Sequence, residues 1–119
     1  MIPVRLLLLV LTLLLGPIGT PRAAGPGAAA PAHRIVFQVN DDDSRKWNTV
    51  LANVNNVQEE LGKVEVAVVV IGPALGMLKA DALTANKVQD AMAAGVRFVA
   101  CGNSMQAQHL EKDDMIERI

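Results

Sequence analysis

The sequence predicts an α/β domain over residues 33–119, a doubly wound, mostly parallel sheet with helices on both faces. Three observations predict it. Short runs of branched and aromatic residues recur at 34–39, 64–71 and 96–101, the composition of strands. The stretches between them carry apolar residues at helical spacing, and Gly or Asn-Asp clusters mark most of the changes of element. Strand and helix in strict alternation is the pattern of a parallel sheet wound by crossover helices.

The first strand, Arg34 to Val39, ends at Asn40-Asp41-Asp42-Asp43-Ser44, where Ser44 or one of the aspartates caps a helix. Trp47, Val50, Leu51, Val54, Val57 and Leu61 then form one apolar stripe, and Gly62 ends it. Val64 to Ile71 is almost all Val with Glu65 its only charge, which suits a central strand covered on both faces. Gly72-Pro73 breaks that strand. A helical turn over Leu75 to Leu78 and a longer helix from about Thr84 to Ala94 follow, closed by Gly95. The third strand, Val96 to Cys101, leads through the turn Gly102-Asn103 to a short helix capped by Ser104 and running to His109; Glu111 to Ile119 is charged and half helical.

Residues 1–32 read as a secretory signal peptide rather than as part of the fold. Arg5 precedes an uncharged, Leu-rich run from Leu6 to Leu15, and Ala30-Pro31-Ala32 supplies small residues for cleavage before His33, with a cut after Ala29 as a competitor. Ten residues at about 1.5 Å each span roughly half a hydrocarbon core of about 30 Å, so an uncleaved membrane anchor is the weaker alternative. The expected location is the periplasm, with no membrane contact after cleavage. Removal of Arg5 and Arg22 leaves nine basic against twelve acidic residues. A domain of that balance lacks the basic face a nucleic-acid binder needs. The single cysteine, Cys101, forms no internal disulfide, although an exported protein meets an oxidising compartment.

Parallel sheets of this kind bind ligands beyond the carboxyl ends of their strands. Three segments share that rim: Asn40 to Ser44, Gly72 to Gly76, and Cys101 to Ser104. Candidate ligand-binding or supporting residues there are Asn40, Gly72, Gly76, Gly102, Asn103 and Ser104. Cys101 stands at the end of its strand with a helix beginning just after it, so amide groups left unpaired there favour its thiolate, the nucleophilic form. The competing reading is a small buried residue that closes the strand. Gly72-Pro73-Ala74-Leu75-Gly76 lacks the glycine spacing of a dinucleotide loop and the Lys-Ser/Thr ending of a triphosphate loop. Asp41, Asp42 and Asp43 are accounted for by capping, His109 reads as a solvated surface residue, and no metal or organic cofactor is expected. Asn53 and Asn56, on one flank of the first helix, are candidates for subunit contact, with a solvated face as the alternative.

Several segments together resemble the DsrE/DsrF-like proteins: Arg34 to Val39, Trp47 with Leu51-Ala52-Asn53-Val54-Asn55-Asn56, Val66 to Gly72, and Ala94-Gly95-Val96-Arg97-Phe98-Val99-Ala100-Cys101-Gly102-Asn103-Ser104. The resemblance covers nearly all of His33 to Met115. It implies a flavodoxin-like three-layer sandwich, a homo-oligomer, and a cysteine, here Cys101, that receives sulfur as a persulfide from a donor protein and passes it to an acceptor. It also implies one more strand and a closing helix after the segment matching Asp113 to Ile116, so the last strand and helix are expected to be missing. The well-known sulfur relays of that family work in the cytoplasm, and export is a second departure. The sequence therefore supports a sulfur-relay or thiol-redox protein acting through Cys101. The alternative is a non-catalytic oligomeric domain that binds a small ligand or serves as a scaffold.

Overall fold

The computed structural model describes Gly19 and residues 33–119; the signal-peptide reading of Met1 to Ala32 otherwise lies outside them. The element order is β1 (His33–Val39), α1 (Ser44–Leu61), β2 (Val64–Val70), a 3-10 segment (Gly72–Leu78), α2 (Ala85–Ala93), β3 (Arg97–Ala100) and α3 (Gly102–Ala107). A 3-10 turn, Lys112–Asp114, closes the series. The sheet is parallel throughout, in the order β1-β2-β3, with Val39 opposite Val70 and Val70 opposite Ala100. The fold is therefore α/β and flavodoxin-like, and the Val-rich run is its central strand.

Alternation along the strands fixes the two faces of the sheet. Val39, Val66, Val68, Val70 and Phe98 are buried on one face together with Leu51 and Val54 of α1 and Ala85 and Val88 of α2. The opposite face carries Arg34, Val36, Glu65, Ala67, Arg97 and Val99; Val36 is 68% exposed and Val99 39%. Arg34 and Glu65, partners in register, form an ion pair of 3.2 Å there. The sequence expects helices on both faces, whereas α1 and α2 lie side by side on one. Topology explains this. Each right-handed crossover advances the chain in the same direction across the order β1-β2-β3, which returns both helices to the same side. Their contact includes a bond from Gln58 Nε2 to the Ala94 carbonyl at 3.0 Å.

Asp43 is the residue that caps α1, its carboxylate accepting from the Arg45 amide at 2.9 Å. Gly62 ends the helix as expected, its amide donating to the Gln58 carbonyl. The buried Thr84 hydroxyl donates to the Met77 carbonyl at 2.9 Å and so ties the start of α2 to the 3-10 segment. The terminal stretch is not half helical. After the 3-10 turn, Met115 pairs with Lys79 in an antiparallel bridge, and Met115 and Ile116 are buried. Burying those two apolar side chains against the core outweighs any helical preference of a short, charged segment.

Gly76 has a packing role. A Cβ there would come within 2.9 Å of Trp47 Cη2, and the indole cannot easily withdraw because its Nε1 donates to the Asp41 carbonyl at 2.6 Å. Gly76→Ala is expected to lower stability by about 1–3 kcal/mol through overpacking. Urea denaturation followed by Trp47 fluorescence measures this, and an unchanged midpoint would show that the indole gives way freely.

Candidate functional site

The backbone ladder continues one residue beyond the strands. Ile71 N donates to the Val39 carbonyl at 2.9 Å, and Cys101 N donates to the Val70 carbonyl at 3.0 Å. This brings the ends of β1, β2 and β3 to one rim, as the sequence predicts. Cys101 is partly exposed and occupies the position just before α3 in an extended conformation. Alternation places its side chain on the same side of the sheet as Val99, away from the face that α1 and α2 cover.

Ser104 does not cap α3, because Cys101 holds that position and the helix starts at Gly102. The serine stands in the first turn instead. There its hydroxyl accepts from the Gly72 amide at 2.9 Å, which joins the second and third rim segments directly. The Ser104 hydroxyl also faces the thiol. Together with the Ser104 amide it holds the Cys101 pKa below its ordinary value; desolvation opposes this, and the Asn103 amide adds a further lowering. No side-chain hydrogen bond of ordinary geometry runs from the sulfur into the helix. The dipoles near it thus favour the thiolate form of a partly exposed thiol.

Gln108, absent from the sequence reading, is part of the same arrangement. Its Nε2 donates to the Gly72 carbonyl at 2.8 Å, so Ser104 and Gln108 between them engage both backbone groups of Gly72. Gly72 has φ of +56°, a left-handed conformation that favours glycine. The space around its Cα is open, so conformation rather than crowding is the reason for glycine here.

Among the described residues, no side-chain hydrogen bond joins the other candidates to this cluster. Asn40 is exposed at the end of β1, and among the described residues no hydrogen bond links it to the thiol. Gly102 and Asn103 are exposed in the first turn of α3. Asn53 and Asn56 are exposed on α1, outside the groove of about 320 Å³ between α1 and α2 that Asn48, Asn55, Gln58 and Lys87 line. Asp41 pairs with Lys46 and Asp43 caps α1, so these acids are engaged at the helix start. Among the described residues no three His, Cys, Asp or Glu side chains are grouped to hold a metal ion. None of their helices is long and apolar enough to cross a membrane. His109 is exposed, with φ of +56° just after α3.

No family model matches the chain, and no curated protein matches it. Among solved structures it is similar to MTH1491 from Methanobacterium thermoautotrophicum, a protein of unknown function, with 30% identity and a TM-score of 0.70. The similarity covers 71% of this chain and 77% of that one.

Proposed function

We propose that this chain, which belongs to one family with MTH1491, is a sulfur-accepting thiol protein that works through Cys101. The observation that carries the reading is the place of Cys101, partly exposed at the strand-end rim and immediately before α3, where the Ser104 hydroxyl and amide hold its pKa below the ordinary value. The likeness of the segments around Trp47 and Cys101 to the DsrE/DsrF-like proteins supports the same chemistry.

The step needs only this thiolate and a persulfide donor. Cys101 Sγ attacks the outer sulfur of R–S–SH, the new S–S bond forms as the donor's S–S bond breaks, and the donor leaves as R–S⁻ with the bonding pair. The proton stays on the transferred sulfur, so Cys101 becomes Cys–S–SH with no change in total oxidation state. Delivery repeats the exchange with an acceptor thiolate, and Cys101 then departs as the leaving group. A thiol of lowered pKa leaves faster. Ser104 and the two amides serve both directions, because each stabilises negative charge on Sγ.

With residues 1–32 acting as an export signal, this exchange takes place in the periplasm, and subunits associate through the Asn53 and Asn56 flank. A second reading, a non-catalytic oligomeric binding or scaffold domain, draws support from the exposed Val36 and Val99 on the open sheet face. Incubation with glutathione persulfide separates the two. The proposed role predicts a mass gain of one sulfur atom on Cys101, reversed by dithiothreitol, whereas the scaffold reading predicts an unchanged mass.

A further inference from the structure

Leu83 is the most exposed large apolar side chain among the described residues, at 99%. Its mount is fixed. The Ala82 amide donates to the Lys79 carbonyl and the Ala85 amide to the Ala82 carbonyl, both at 3.0 Å, and the next residue, Thr84, is tied to Met77. An apolar anchor held this way loses little freedom when a partner covers it. Four residues on, Lys87 begins a stripe of α2, continued by Asp90, Ala91 and Ala94, that walls the groove between α1 and α2. Leu51 and Val54 of α1 are buried beneath it and give the groove an apolar floor. Two opposite charges stand exposed in that wall. Among the described residues Lys87 donates only to the neutral Asn48 side chain, and neither Lys87 nor Asp90 forms an ion pair.

We propose that Leu83 and this groove are the two halves of one contact, made with a second copy of the chain across a two-fold axis on α2. Such an axis turns α2 antiparallel to its copy and makes the contact isologous, so each copy gives its knob and receives the other. Where the axis crosses midway between Lys87 and Asp90, Lys87 faces Asp90 of the partner subunit, and the reciprocal pair forms with it. The same register sets Leu83 opposite Ala94 of the partner subunit, at the end of the groove where Ala91 and Ala94 leave room for a leucine. A second copy is favoured over a foreign protein because one symmetry operation satisfies both features: the exposed leucine finds an apolar floor, and the opposite charges complement themselves. The contact deepens the proposed self-association by naming residues for it, and it is separate from Asn53 and Asn56, which lie outside the groove.

Sedimentation velocity of the full chain over a concentration series tests this. The unmodified protein is expected to dimerise, and Leu83→Ser to raise the dimer Kd by at least about tenfold. Circular dichroism should be unchanged, because the side chain is surrounded by solvent in the single chain. Lys87→Glu and Asp90→Lys each set like charges against each other at two places and should weaken the dimer as well. An equimolar mixture of those two variants should dimerise again as a heterodimer, since every changed charge then meets its opposite. This recovery is what a merely structural effect of either substitution would not produce. A Kd unmoved by Leu83→Ser, or a mixture no tighter than its components, overturns the contact. A dimer that survives all three substitutions but is lost in Asn53→Asp/Asn56→Asp also overturns it and leaves self-association to that flank. A monomer at every concentration removes both the contact and the self-association, and the role of Cys101 stands.

Discussion

A Cys101→Ser protein takes up no sulfur from a persulfide donor and keeps the fold of its parent. The hydroxyl has nearly the shape of the thiol but does not ionise in the accessible pH range, so no nucleophile remains to attack the outer sulfur. Cys101 is the one cysteine in the chain, and no second thiol can substitute. Stability should hold or rise slightly, because the position just before α3 is an N-cap, where serine is among the preferred residues and the thiol makes no capping bond. Intact mass after donor treatment, with thermal unfolding of the same sample, measures both effects. Uptake equal to that of the parent would remove Cys101 from the mechanism, and a collapse of the fold would assign the residue a structural role.

Leu75→Ala has the largest expected effect on stability. Leu75 is fully buried in the 3-10 segment, within the same core as Leu78, Val68, Val54 and Val88. Truncation to alanine loses the transfer energy of the removed groups and leaves a cavity, at a cost of about 2–5 kcal/mol. A domain of this size has a total stability on the order of 5–10 kcal/mol, so the variant sits near its unfolding threshold. The consequence reaches the rim, because Gly72 opens the same segment and its amide and carbonyl are bonded to Ser104 and Gln108. Urea denaturation should show a lower midpoint with an unchanged slope, and a loss under about 1 kcal/mol would mean that the segment closes over the gap.

The fold was legible where one period dominates a segment. The Val-rich run between Gly62 and Gly72 has no amphipathic face to offer, and it became the central strand. The stripe from Trp47 to Leu61 repeats at helical spacing, and it became the helix over the core. Cover on both faces was not legible, because a local pattern does not reveal strand order, and the order β1-β2-β3 sends α1 and α2 to one side. The rim was partly legible. Strand-end logic placed Gly72, Cys101 and Ser104 together, and the Ser104 to Gly72 bond joins two of those segments.

What was not legible depends on contacts between distant parts of the chain. Gly76 follows a strand at the rim and so resembles a ligand loop, and the structure adds a packing role that the sequence did not reveal, the Trp47 ring against its Cα. Ser104 has the composition of a cap, but Cys101 takes that place because its extended backbone already starts the helix two residues earlier. Gln108 gives almost no signal, since a glutamine on a short polar helix is ordinary. Its spacing of four from Ser104 was the one clue, and it gains meaning only once the position of Gly72 is known.

The central claim is that the rim makes Cys101 a thiolate-favoured nucleophile. The rate of its alkylation by iodoacetamide against pH, in the unmodified protein, tests that claim most directly. Rate follows the thiolate fraction, so a lowered pKa brings the rise and the plateau to lower pH. The account predicts an inflection below that of a free cysteine, about 8.5. An inflection at or above that value would contradict it.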